Sequence, residues 1–285
     1  MNVETYISKL TLEEKAALLQ GWTTWTTRKV NRVQIPEIFL SDGPTGLRKQ
    51  EGAGDRLGLN ASVPATCFPT SATVANTWDP ALGEAIGACL GAEAAAHDVN
   101  VVLGPGLNMK RSPLCGRNFE YYSEDPVVSG AMAAAMTKGI QSMGVAVSLK
   151  HFCANNKEIN RRNSDSILSA RALREIYLKP FEICVKEADP WTIMSSYNLV
   201  NGTHASSNRE LLTDILRGEW NWGGVVTTDW WTYERQYLEL AAGNDIKMGC
   251  GMPDHTLEML KAGKLKRKDL RTSARRVLAL MLKLD

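Results

Sequence analysis

Asp229 stands in GGVVTTDWWTYE (223–234), directly after an apolar, strand-like run and directly before two tryptophans. The commonplace job of an Asp in that position is to cap a helix. Trp230 and Trp231 argue for another, because aromatic faces beside a carboxylate suit the apolar face of a sugar ring. A carboxylate placed there can serve as the nucleophile of a retaining glycosidase, attacking the anomeric carbon to give a covalent glycosyl-enzyme. Such a group is expected to have a low pKa and positive charge nearby. Lys150, His151, Arg117 and Arg161 are the candidates to supply that charge and to donate hydrogen bonds to sugar hydroxyls.

Other apolar runs end the same way: Asp42 follows IFLS, Lys150 and His151 follow VAVSL, and Ser195, Ser196 and Tyr197 follow WTIM. Any one of these could be core or a surface ion pair. Their recurrence at the same end of successive strands fits a site assembled from strand termini. Each run is followed by a long amphipathic segment, as when EIFLSDG gives way to WDPALGEAIGACLGAEAAAHD, where Asp79 and Pro80 read as an N-cap and first-turn pair. Strand then helix recurs about seven or eight times to the end of the chain, and continuous apolar strands imply a parallel sheet buried on both faces. The expected fold is therefore α/β, a (β/α)8 barrel of the TIM type, whose strand ends converge on one rim. No GxGxxG follows the first strand, which weighs against an open nucleotide-binding sheet. No low-complexity linker interrupts residues 1–285, so a single domain is expected.

Composition narrows the function classes. The chain has 285 residues, 44% hydrophobic and 22% charged, with a net charge of +2, which suits a globular protein with a substantial core. The one basic run, KAGKLKRKDLRTSARR, lacks interleaved aromatics and reads as a solvated helix face, so no nucleic-acid partner is expected. No apolar run approaches the roughly 18 residues of a membrane span, and the opening segment has no h-region of a secretory signal. Cys67, Cys89, Cys115, Cys153, Cys184 and Cys250 are scattered, without C-x-x-C spacing, and read as reduced thiols of a cytoplasmic protein. Neither a metal nor an organic cofactor is expected.

SDGPTGLR (41–48), GRNFEYYSEDP (116–126), KHFCANNKEINR (150–161), MSSYN (194–198) and TTDWW (227–231) together resemble, in order, the signatures of glycoside hydrolase family 3 of the β-glucosidase type. The resemblance covers nearly the whole chain. It implies terminal β-linked glucose as substrate and Asp229 as nucleophile, with Asp42, Arg48, Arg117, Lys150, His151, Arg161, Met194 and Tyr197 holding glucose. It further implies that Asp42 accepts from the hydroxyls farthest from the scissile bond, that Tyr197 sits near the nucleophile, and that Trp230 forms an apolar wall. Glu120, Glu124 and Asp125 read instead as loop-holding groups and a helix cap, and Glu158 as a residue that orients Arg or Lys.

Retention requires a second carboxyl group about 5 to 5.5 Å from the first. The resemblance implies that in the β-glucosidase branch it is a Glu on an α/β sandwich domain, which is not expected within residues 1–285. The other branch uses a His on a barrel loop, where KHFCANNKE has Asn155 and Asn156 instead. His97, His204 and His255 have no general-acid context. The chain is accordingly expected to be a barrel that is weak or inactive alone and completed by a separate sandwich domain. The alternative is a noncatalytic sugar-binding barrel, which could self-associate as a homodimer through the surface such a domain would cover.

Overall fold

A computed structural model of the chain describes residues 2–52, 54–55, 59–249 and 251–284; Cys250 lies outside them. Five strands, β1 (Leu40–Asp42), β2 (Val101–Leu103), β3 (Ala146–Phe152), β4 (Thr192–Ser195) and β5 (Val225–Thr228), pair in parallel in chain order. The register runs Leu40 to Val101, Val101 to Ala146, Leu149 to Ile193, and Ile193 to Val226. Every residue of β2, β3, β4 and β5 is buried, as strands with protein on both faces must be.

Short rungs close the sheet into a ring. Thr227 pairs in parallel with Ile246, and Lys247 in parallel with Gln20. Gly21 then pairs antiparallel with Thr27, and Thr26 antiparallel with Phe39, the residue before β1. The barrel is thus the (β/α)8-type fold that the alternation implies, with one departure: the rung at Thr26 and Thr27 runs backwards. A parallel return needs a crossover of about a dozen residues or more. Only residues 22–25 connect Gly21 to Thr26, so the chain can turn back only as a hairpin.

Helices α1 (Val3–Lys9), α2 (Leu12–Leu18), α3 (Pro80–Ala96), α4 (Pro126–Ser142), α5 (Lys179–Ala188), α6 (Glu210–Glu219), α7 (Gln236–Ala242), α8 (Pro253–Lys261) and α9 (Arg267–Leu284) surround the ring. Asp79 and Asp125 cap α3 and α4, each accepting two backbone N–H groups ahead of a first-turn proline. α3 and α4 approach to backbone contact. A Cβ at Gly87 would fall 2.4 Å from the Met136 carbonyl oxygen, and one at Gly139 only 2.1 Å from that of Glu84. α9 buries Leu270, Ala274, Val277, Leu278 and Met281 and turns its basic residues outward except Arg276, which reaches in to Asp245, so most of the basic run is a solvated helix face. Among the described residues no helix is long and apolar enough to cross a membrane.

Candidate active site

Asp42 ends β1, Lys150 and His151 lie near the end of β3, Met194 and Ser195 end β4, and Asp229 follows β5 at once. Parallel strands in register deliver these ends to one rim. There a cleft of about 220 Å³ is lined by Asp42, Arg48, Arg117, Lys150, His151, Arg161, Met194, Tyr197, Asp229 and Trp230, the ten residues singled out in the sequence. Thr24, Trp25, Asp55, Leu103 and Trp231 complete the lining.

One wall is ionic. Lys150, only 3% exposed, places its Nζ 3.2 Å from both Asp42 Oδ1 and Glu120 Oε2. Glu120 also accepts from Arg117 Nε, and Arg48 Nη2 lies 3.6 Å from Asp42 Oδ2. Burial pushes the Asp42 carboxyl up, but Lys150 and Arg48 outweigh it and hold the group below its ordinary value. Glu120 behaves alike, with Lys150 and Arg117 overcoming burial. Burial in turn pulls the Lys150 ammonium down, and Asp42 and Glu120 more than restore it. Glu120 is therefore the loop-holding acid its motif suggested, and Glu158 likewise holds Arg161 at 3.1 Å. The Arg161 guanidinium lies 4.9 Å from the centre of the Tyr197 ring.

Asp229, next to His151 in the same cleft, is bonded differently. Its Oδ1 accepts the Trp230 backbone N–H at 2.7 Å. Its Oδ2 is buried without a hydrogen-bond partner, 3.8 Å from His151 Nε2. Burial lifts this carboxyl above its ordinary value, against the lowering pull of Arg117, the Trp230 N–H, Arg161 and Lys150. That corrects the expectation of a low pKa. The cations are present as expected, but a carboxylate with one oxygen desolvated and unbonded loses more from burial than they return. His151 is 1% exposed, and burial, reinforced by Arg117, Lys150 and Arg161, keeps its imidazole neutral, with a pKa well below the usual value.

Trp230 carries the apolar side. Its indole Nε1 donates to the Thr24 carbonyl at 2.6 Å, its carbonyl accepts the Tyr197 hydroxyl at 2.6 Å, and its ring meets Trp25 at 5.6 Å between centroids. Trp25 and Thr24 carried no signal in the sequence. They reach the cleft because the closing hairpin folds back over the rim, and WTTW (22–25) sits beside no strand-end acid. Asn108 and Tyr121, which contact His151 from below, were also missed; NFEYY and GLNMK give no sign of which side chain turns inward.

A model of the Glycosyl hydrolase family 3 N terminal domain matches residues 12–280. Thermostable beta-glucosidase B of Acetivibrio thermocellus is 47% identical over 281 residues, covering 98% of this chain and 37% of that protein. An exo-alpha-(1->6)-L-arabinopyranosidase of Bifidobacterium longum is 47% identical over 252 residues, 87% of this chain and 33% of that protein. Beta-glucosidase 3B from Thermotoga neapolitana, solved in complex with glucose, superposes with a TM-score of 0.93 at 41% identity, over 99% of this chain and 42% of that one. The chain thus spans about a third to two fifths of the length of the relatives it matches. A barrel with this rim and a family match over residues 12–280 belongs to glycosyl hydrolase family 3, of which it carries the N-terminal domain.

Proposed function

We propose that this barrel is the sugar-holding, nucleophile-bearing part of a retaining β-glucosidase. The observation that carries the proposal is the asymmetry of Asp229: Oδ1 is tethered to the Trp230 N–H, while Oδ2 is unbonded in a cleft with sugar-sized polar walls. The tether fixes the carboxylate plane and leaves Oδ2 as the attacking atom. It would bond to the anomeric carbon as the leaving-group oxygen departs, and water would then attack that carbon, break the bond to Oδ2 and release the sugar and the free carboxylate. Asp42 and Lys150, already paired, offer an acceptor and a donor to ring hydroxyls, and Arg117 and Arg161 stabilise the ionised nucleophile. Glucose as the sugar is supported by relatives named as β-glucosidases.

The proton donor would come from outside this barrel. Glu120 is held by Arg117 and Lys150 and Glu158 by Arg161, so neither is a carboxylic acid free to give a proton. The relatives' greater length leaves room for a second domain that carries it. The barrel alone would then hydrolyse natural glucosides poorly, by the roughly 10² to 10⁴-fold that general acid catalysis contributes. Dinitrophenol leaves without protonation, so dinitrophenyl β-glucoside tests the nucleophile by itself. A stoichiometric pre-steady-state burst, lost in Asp229→Asn, is the expected result. Glucose binding with no burst would make the barrel a sugar-binding module instead.

A further inference from the structure

Behind the rim, His151 is gripped from three sides. Asn108 Oδ1 accepts the His151 backbone N–H at 2.9 Å and Asn108 Nδ2 donates to the His151 carbonyl at 2.9 Å, which fixes the amide's orientation. The same Oδ1 lies 3.3 Å from the imidazole Nδ1, and the Tyr121 hydroxyl lies closer, at 3.0 Å. Tyr121 is fully buried, and this ring nitrogen is the partner its hydroxyl has among the described residues. On the far side of the ring, Nε2 faces the unbonded Oδ2 of Asp229 at 3.8 Å.

A neutral imidazole has one N–H, and these neighbours decide which. With the proton on Nδ1, the Tyr121 O–H is left buried with nothing to donate to, and a bare Nε2 lone pair opposes the Asp229 carboxylate. With the proton on Nε2, Tyr121 donates to Nδ1 and an N–H faces Asp229. Opposing this is the 3.3 Å approach of Asn108 Oδ1 to a bare Nδ1, a weak repulsion because that oxygen already accepts the His151 backbone N–H. An imidazolium would again orphan the Tyr121 hydroxyl and would sit among Arg117, Lys150 and Arg161 with Asp229 as its one facing anion. We propose that Tyr121 is a positioning residue that locks His151 as the neutral Nε2–H tautomer, a fixed hydrogen-bond donor beside Asp229 and not a proton shuttle.

Burial supports this by holding the Tyr121 hydroxyl well above its ordinary pKa, so it keeps the proton it must donate. The separation of 3.8 Å is too long for a direct hydrogen bond, which leaves the N–H to a substrate hydroxyl lying between the two groups. The role in catalysis rests on Asp229 being the nucleophile. The tautomer does not.

The test uses the full chain labelled with ¹⁵N at histidine, with His151 assigned by its loss in His151→Gln. Between about pH 5 and 8, long-range proton–nitrogen correlations should show a protonated Nε2 and a bare Nδ1. Tyr121→Phe should move the proton toward Nδ1, slow the dinitrophenyl glucoside burst about tenfold, and shift its acid limb to higher pH, because a lone pair then faces the ionising Asp229. Asn108→Asp reaches the same tautomer independently, by setting a carboxylate against Nδ1. An Nδ1–H tautomer or an imidazolium in the unaltered chain would overturn the proposal. So would a Tyr121→Phe chain with the original tautomer, burst and pH limb. If the unaltered chain gives no burst, the nucleophile assignment fails while the nitrogen spectrum still decides the tautomer.

Discussion

Two buried carboxylates flank strand β5, one at each end, and they are treated in opposite ways. At the start of the strand, Asp245 is fully buried and saturated: Oδ2 accepts from Arg217 Nη2 at 2.7 Å and from the Val226 backbone N–H at 2.9 Å, and Oδ1 accepts from Arg276 at 3.0 Å. Just past its end, Asp229 has one tethered oxygen and one with no partner. The first arrangement fixes the base of the barrel. The second leaves a lone pair aimed into a cleft, at the expense of the ionised state. The hydrogen bonds supplied in full at Asp245 are withheld from one oxygen at Asp229, at the other end of the same strand.

This contrast can be broken from either side. Asp229→Asn should slow the dinitrophenyl glucoside burst by at least about a thousandfold while leaving the melting temperature at or above that of the unaltered chain. Asp245→Ala should do the reverse. It strands Arg217, which is largely buried, and should cost about 3 to 5 kcal/mol in urea unfolding, with the burst per folded molecule little changed.

The pH dependence sharpens the comparison further. Because the native pKa of Asp229 is raised, its contribution to stability is present at low pH and is lost as pH rises through that value. The thermal stability of Asp229→Asn relative to the unaltered chain should therefore improve as pH climbs from acid to neutral. Asp42 has a depressed pKa, so its contribution is full above the ordinary carboxylate value and lost as pH falls through the native one. Asp42→Asn should be most destabilising near neutrality and least at acid pH, a slope of opposite sign. Parallel slopes in the two variants would refute the contrast between Asp229 and Asp42. The smallest effect is expected at the surface, where Arg174 and Glu219 form a two-bond ion pair, both half exposed. Arg174→Ala should cost at most about 1 kcal/mol in the same urea assay.

What could be read from the sequence was whatever a strand or a helix prints locally. Apolar runs ending in Asp42, Lys150 and Asp229 announced the rim, and Asp79 and Asp125 before prolines announced their helices. The reversed rung was not legible, because residues 20–27 are too short a stretch to show any period and their pairing is with distant segments. Trp25 was missed for the same reason. The direction of the Asp229 shift was also out of reach: charge can be counted along a chain, but the burial of one oxygen depends on the whole fold. Glu120 marks the boundary. Its holding role was legible from its motif, whereas its two partners, Arg117 next door and Lys150 thirty residues on, were not both predictable.

The closing hairpin also bears on how the molecule assembles in time. Trp230 donates its indole N–H to the Thr24 carbonyl, 206 positions earlier, and Gln236 donates to the Leu19 carbonyl across 217. Loop closure over such separations is entropically demanding and slow compared with local pairing. β1 to β5 can zip in chain order, each strand adding beside the last. The wall beside Asp229 must wait until residues 19–25 and 230–236 meet. Nascent or partly folded chains would therefore carry Asp229 without its apolar wall, and binding competence would be acquired in the final step of folding.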